Sequence, residues 1–181
     1  MARIQPVQVD NANPKTAQLL QSVEKKMGSV PNLISTLANS PAAAQAYLGF
    51  AQALAGGSLP APLREQISLA VGQTNECDYC VAAHSYLGHK AGLGEEDILD
   101  ARRGTASDEK AAAALGFARK IVENRGWVSD EDVEEVRRAE FTEGQIAEIV
   151  ANVALNIFTN YFNHVAGTEV DFPAVPTLAA A

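Results

Sequence analysis

The sequence is short of several things, and each shortage removes a class of function. It has only two cysteines, Cys77 and Cys80, among 181 residues, too few for a framework of several disulfides. Positive charge is in deficit: 14 Lys and Arg against 22 Asp and Glu give a net charge of −8. An acidic surface of this kind repels phosphate backbones and anionic lipid, so neither nucleic acid nor a membrane surface is an expected partner. No apolar run reaches the length of a membrane span. The opening Met1-Ala2-Arg3-Ile4-Gln5-Pro6-Val7 has no apolar stretch of the kind a secretory signal needs. The reading is a cytoplasmic protein, a compartment in which a close cysteine pair is catalytic or metal-binding more often than a structural staple. There is no glycine-rich phosphate fingerprint and no haem or flavin motif, so no cofactor is expected.

What is present reads almost entirely as helix, with no strong strand pattern and no domain linker. Asn13-Pro14 and Ser40-Pro41 are cap-plus-proline starts, and Gly28 and Gly56-Gly57 are stops. Helices are expected over about 14–27, 32–39, 42–55, 64–74, from the cysteines to about 91, then 95–103, 108–125, 130–139 and 142–166. In the fourth, Leu63, Ile67, Ala70 and Val71 share one face. Residues 94–98 and 129–133 open alike, with acidic first turns, and each is followed by an Arg pair, Arg102-Arg103 and Arg137-Arg138. Both read as surface helices with charge matched to the helix dipole, although these similarities, with Gln66-Ile67 against Gln145-Ile146, also fit a degenerate two-fold repeat. The last helix is apolar on most sides over 149–165, which suggests burial, in part between subunits. It carries a stripe, Asn152, Asn156, Asn160 and His164, that reads as a hydrogen-bond ladder, a subunit contact or a wall of the thiol pocket. The tail after Phe172, including the three final alanines, is expected to be loose or docked on a neighbour.

The chemistry concentrates in Glu76-Cys77-Asp78-Tyr79-Cys80, with His84 four residues on. At about 100° per residue, Cys80 lies about 60° and His84 about 20° from Cys77, so a helix puts all three in one sector. The helix N-terminus favours a thiolate, while the Glu76 and Asp78 carboxylates oppose one. Cys80 is less exposed to that opposition and has His84 at i+4, so it is read as the attacking thiol and Cys77 as the resolving one. Glu65 is a carboxylate that could orient the imidazole, although on its own it reads more simply as a solvated residue beside Arg64. Zinc is an alternative, with Cys77, Cys80, His84 and His89 as ligands, but His89 lies about 120° from Cys77 around the helix and reads as a solvated helix-end residue. A redox-silent scaffold with two core cysteines is the other alternative.

The runs Leu63-Arg64-Glu65-Gln66-Ile67-Ser68-Leu69-Ala70-Val71 and Glu76-Cys77-Asp78-Tyr79-Cys80-Val81-Ala82-Ala83-His84-Ser85 resemble the core motif of the AhpD-like alkylhydroperoxidases, within the carboxymuconolactone decarboxylase superfamily. That motif is a glutamate, twelve residues to the first cysteine, then Cys-x-x-Cys-x-x-x-His. The resemblance implies an all-α, AhpD-like domain over 1–181, with a core of about 40–165, an N-terminal helical extension over 1–39 and a tail over 167–181. It implies a thiol-dependent peroxidase with Glu65, Cys77, Cys80 and His84 as catalytic residues: Glu65 holds His84, His84 deprotonates Cys80, Cys80 attacks the peroxide, and Cys77 closes the disulfide. It also implies a small hydroperoxide substrate, an external dithiol or reductase, and a homo-oligomer, trimer or hexamer. Family peroxidases often carry a histidine just before the second cysteine, where this chain has Tyr79. The superfamily's decarboxylases lack the cysteine pair, which argues against the lactone reaction. A decarboxylase-type enzyme and a non-catalytic redox-sensing module are the competing expectations.

Overall fold

The computed structural model describes residues 2–178, so the three final alanines lie outside the described residues. Among the described residues there are nine α-helices, a short 3-10 turn at Val9–Asn11 and no strand. The helices are α1 (Pro14–Met27), α2 (Asn32–Leu37), α3 (Pro41–Ala55), α4 (Ala61–Thr74), α5 (Asp78–Lys90), α6 (Glu95–Arg103), α7 (Glu109–Glu123), α8 (Asp130–Arg138) and α9 (Glu143–Ala166). The expected starts are where the caps predict them. Asn13 accepts a hydrogen bond from the Thr16 amide at 3.0 Å ahead of Pro14, and Ser40 accepts one from Ala43 at 3.3 Å ahead of Pro41. Asp97 and Asp132 make the reciprocal bond in α6 and α8, each accepting the N-cap amide from the third helical position, at 2.9 and 2.8 Å.

The centre of the molecule is α4, packed against α5, α6, α7 and α9. The sequence predicts one apolar face, but every residue from Gln66 to Gly72 is buried. The small side chains of Ser68, Ala70 and Gly72 are what allow neighbours to close on the remaining sides. A methyl group at Gly72 would already sit 3.4 Å from the Cys80 Cβ, so α4 and α5 are close to their limit of approach. The main core joins Ile67, Leu69 and Val71 of α4 to Leu115 and Phe117 of α7, Val136 of α8 and Ile149 and Val153 of α9. A second cluster surrounds the cysteines and draws Leu33 and Leu37 from α2. The N-terminal segment is therefore a wall of the cysteine site as well as an extension.

The inner face of α9 is buried, as its apolar run suggests, while Val150, Phe158, Tyr161 and Val165 on its outer side are exposed in the single chain. Two other expectations are corrected here. Over Phe172–Pro176 the tail is held on its own chain rather than loose. Phe172 packs edge-on against Tyr79, with ring centroids 5.7 Å apart, and the Pro176 carbonyl accepts from Arg102 at 2.9 Å. That bond also separates the two Arg pairs. Arg137 and Arg138 are surface residues paired with Glu134, Glu143 and Glu131, whereas Arg102 is buried between Gln73 and the tail.

A tight turn at Asn75–Cys77 joins α4 to α5. The Cys77 amide reaches back to the Gly72 carbonyl at 2.9 Å and Glu76 to that of Gln73 at 3.0 Å, which is how a helix is closed by a left-handed residue. That residue is Glu76, at φ 54°, a conformation that costs a side-chain-bearing residue about 1 kcal/mol or more. Glu76→Gly is expected to raise stability by about 1 kcal/mol, read as a higher denaturant midpoint at unchanged slope.

Candidate active site

The turn after α4 makes Cys77 the N-cap of α5, and its sulfur accepts the Cys80 amide at 3.3 Å. Cys77 and Cys80 are joined as a disulfide, with their Cα atoms 5.3 Å apart. The free donors of the helix start thus fall on Cys77 and are not shared equally by the two sulfurs. Both cysteines are buried, but Cys80 lines a small cavity of about 50 Å³ and Cys77 does not. Met27, Leu33, Tyr47, Ala83, His84 and Phe172 are among the other residues round it.

The structure brings Glu65 and His84 together. The Glu65 Oε2 lies 2.7 Å from the His84 Nδ1, and each side chain is about one-fifth exposed. Glu65 is therefore not the solvated residue that its position beside Arg64 would suggest. The pairing follows from the α4–α5 hairpin. Glu65 is nine residues before the end of α4 and His84 six after the start of α5, about 14 and 9 Å along the two helices, and their side chains span the difference. The carboxylate holds one ring nitrogen and leaves the other for proton transfer. His84 and Cys80 meet at the same cavity, so a small molecule or a water there would touch both.

His89 is outside this group. Its Nδ1 faces the Leu93 carbonyl at 3.1 Å and its Nε2 lies 3.3 Å from Glu95. Among the described residues, no three His, Cys, Asp or Glu side chains are grouped so that they could hold a metal ion.

Tyr79, where family peroxidases often have histidine, is buried and accepts the Leu33 amide on its hydroxyl at 3.1 Å. Burial pushes its phenol well above the usual tyrosine range. It is a neutral strut between α5 and α2 and carries no charge to the sulfurs.

Most of the α9 stripe is structural. Asn156 donates to the Ser68 hydroxyl at 3.0 Å, Asn160 accepts from Asn75 at 2.8 Å, and His164 faces the Glu76 carbonyl at 3.3 Å. Asn152 donates to its own helix, to the Glu148 carbonyl at 2.8 Å. The residue of α9 that reaches the thiols is Asn163, whose Nδ2 is 3.3 Å from the Cys80 sulfur and 3.9 Å from that of Cys77. The four-residue spacing of the stripe missed it for a geometric reason. Each step of four advances about 40° round the helix, so by position 164 the stripe has left the inner face, and 163 has returned to it. His164 is exposed and Asn163 is buried. The other residue missed is Tyr47 of α3, which lines the cavity beside His84.

Burial, with the negative charge of Glu65 second, pushes the Tyr47 phenol up to about 12. A raised folded value means stability is complete below about pH 10 and is lost as pH rises towards 12, by about 2–3 kcal/mol for one such group. Tyr47→Phe is expected to flatten that part of the alkaline stability profile, measured by denaturant unfolding across pH 9–12.

Residues 41–124, from α3 to the end of α7, match the carboxymuconolactone decarboxylase family, and this span contains Glu65, Cys77, Cys80 and His84. No curated protein matches the sequence. Among solved structures, the chain is similar to the alkylhydroperoxidase AhpD core of an uncharacterized peroxidase-related protein from Ralstonia eutropha JMP134, at 26% identity and a TM-score of 0.85, over 94% of this chain and 92% of that one. It is also similar to a cysteine-to-alanine variant of the debrominase Bmp8 in complex with 2,3,4-tribromopyrrole, at 23% identity and a TM-score of 0.80, over 93% and 91%. A peroxidase-related protein from Silicibacter sp. TM1040 matches at 20% identity and a TM-score of 0.79, over 92% of both chains. By fold the chain is an AhpD-like all-α protein, and its residues 41–124 match the carboxymuconolactone decarboxylase family.

Proposed function

We propose that this protein is a thiol-dependent peroxidase acting through Cys77 and Cys80. The observation that carries the reading is a single one: the half of a Cys-x-x-Cys disulfide that lines a cavity shares that cavity with a histidine held by a carboxylate at 2.7 Å. In the reduced pair, His84 takes the Cys80 proton, directly or through a water, and Glu65 supports the imidazolium. The Cys80 thiolate attacks the terminal peroxide oxygen. The O–O bond breaks, the leaving alkoxide takes the proton from His84 and departs as an alcohol, and Cys80 is left as a sulfenic acid. The Cys77 thiol then attacks the Cys80 sulfur, releasing water and closing the disulfide. An external dithiol, free or on a reductase, exchanges with that disulfide, becomes oxidised itself and restores both thiols.

Access supports Cys80 as the attacking sulfur, since Cys77 is walled off as the helix cap. The cavity of about 50 Å³ is little more than the volume of one or two waters. It suits a hydroperoxide head, with Leu33, Met27 and Phe172 offering apolar contact to an alkyl body. The debrominase of the same fold makes a brominated pyrrole the natural competing substrate for the assay.

We read the whole chain as one domain with Glu65, Cys77, Cys80 and His84 as its catalytic set. We also propose a homo-oligomer, trimer or hexamer, with Val150, Phe158, Tyr161 and Val165 of α9 as the contact, because a row of exposed apolar side chains on a terminal helix is the kind of surface that a second copy covers. No helix among the described residues is long and apolar enough to cross a membrane.

The test follows loss of cumene hydroperoxide in the presence of a dithiol. Cys80→Ser should abolish turnover. Cys77→Ser should allow one stoichiometric oxidation and then stop. His84→Ala should lower the rate by about 10²–10⁴-fold, and Glu65→Gln by less. Equal peroxide loss in wild type and all variants would overturn the proposal. Disulfide formation without turnover would favour a redox sensor, and preferential debromination of a bromopyrrole a dehalogenase. Light scattering should give a mass that is a multiple of 19.1 kDa, and Tyr161→Glu should shift it towards the single chain.

A further inference from the structure

The α9 helix presents one buried amide to the disulfide. Asn163 is 4% exposed, and its Nδ2 lies 3.3 Å from the Cys80 sulfur and 3.9 Å from that of Cys77. The same side chain leaves its Oδ1 buried without a partner among the described residues. An amide that spends its donor on sulfur and strands its oxygen is held in an unfavourable arrangement if the sulfurs stay a disulfide. A disulfide sulfur is a weak acceptor, and a stranded carbonyl loses its hydration. The donor is better used when the pair is reduced. A thiolate is a full negative charge, and an N–H donor to a charged acceptor is roughly twice as strong as one to a neutral group.

We infer that Asn163 is the thiolate-stabilising residue of this site: its amide donates to Cys80 when the pair is reduced, favours the ionised sulfur, and makes the Cys77–Cys80 disulfide easier to reduce. The division of labour between the two sulfurs is then structural. Cys77 takes the helix-start donor, the Cys80 amide at 3.3 Å, and Cys80 takes the donor from α9. Without Asn163, the sulfur that opens on the cavity would have no backbone or side-chain N–H of its own among the described residues. The inference rests on the thiol redox reading of the site, but on no peroxide chemistry.

Several ionisable groups surround the pair. His84 and Tyr79 come from α5, Tyr47 from α3, and Glu65 from α4 behind His84. Glu76 and Asp78 flank Cys77 in sequence. His164 faces the Glu76 carbonyl from α9, and Asp171 raises the Tyr79 phenol from the tail. Asn163 is neutral at every pH. Replacing it with leucine therefore moves the titration of Cys80 without adding one of its own.

Two measurements on the full chain test this. In a Cys77→Ser background, Cys80 is the single thiol, and its rate of alkylation by iodoacetamide against pH reports the thiolate fraction. Asn163→Leu, close in size but without a donor, should lower that fraction about tenfold below the midpoint, with the same limiting rate at high pH. With both cysteines present, equilibrium with reduced and oxidised dithiothreitol should move about tenfold towards the protein disulfide, a potential about 30 mV lower. Asn163→Asp keeps the size and polarity if the leucine variant does not fold, and its carboxylate should shift both readouts in the same direction. Unchanged midpoint and equilibrium in a folded variant would overturn the inference, as would a fall in the limiting rate alone, which marks a packing role. Wild-type protein that fails to reduce peroxide while these shifts appear would sink the peroxidase reading and leave the Asn163 assignment standing. Peroxide turnover without the shifts would do the reverse.

Discussion

The burial of α4 on every side is the constraint from which the rest of the molecule follows. A helix surrounded by α5, α6, α7 and α9 has no freedom to slide or rotate without opening a close-packed core. Its two ends therefore place chemistry reliably. Its second turn carries Glu65. Its last turn, closed by left-handed Glu76, sends the chain straight into Cys77 and α5. Gly72 lets that second helix bring the Cys80 Cβ within contact distance of α4. The 2.7 Å contact between Glu65 and His84 is the result of these backbone decisions and is not an independent pairing that needs a large energy of its own. At about one-fifth exposure for both side chains, the pair contributes more to orientation than to stability.

The site is also assembled from segments distant in sequence. The cysteines and His84 come from α5, Glu65 from α4, Tyr47 from α3, Leu33 from α2, Asn163 from α9 and Phe172 from the tail. This construction keeps the sulfurs nearly dry while leaving Cys80 a small opening. It places a neutral Tyr79 beside the second cysteine, so His84 is the imidazole of α5 that lines the cavity with Cys80. The tail belongs to the same design. Phe172 lies across Tyr79 and Tyr86, and Arg102 ties the following residues to the body through the Pro176 carbonyl.

Much of this was legible in the order of residues because local rules govern it. Proline after Asn13 and Ser40, glycine at 28 and 56–57 and acidic first turns mark helix ends, and each of the nine expected helices is present within a few residues of its expected bounds. The Cys-x-x-Cys-x-x-x-His spacing places three side chains in one sector of one helix, which needs only the helical repeat. The spacing of Glu65 to Cys77 was legible only through family resemblance, since nothing local says that α4 and α5 fold back on each other. The α9 stripe shows where such reasoning stops. A spacing of four looks like one face, yet the helix has 3.6 residues per turn, and the amide that reaches the sulfurs lies at position 163.

By itself, then, the sequence determined the all-helical class, the approximate helix boundaries, and the placing of the cysteine pair and His84 on one helical sector, because each depends on neighbours within about one turn. Only the tertiary structure decided which thiol opens on a cavity, that α4 is buried all round, that the N-terminal segment and tail wall the site, and that Asn163 reaches the sulfurs. Those outcomes depend on which helices pack together and on how small residues such as Gly72 and Ser68 let them approach. Such contacts join residues more than eighty positions apart, and no local pattern encodes them.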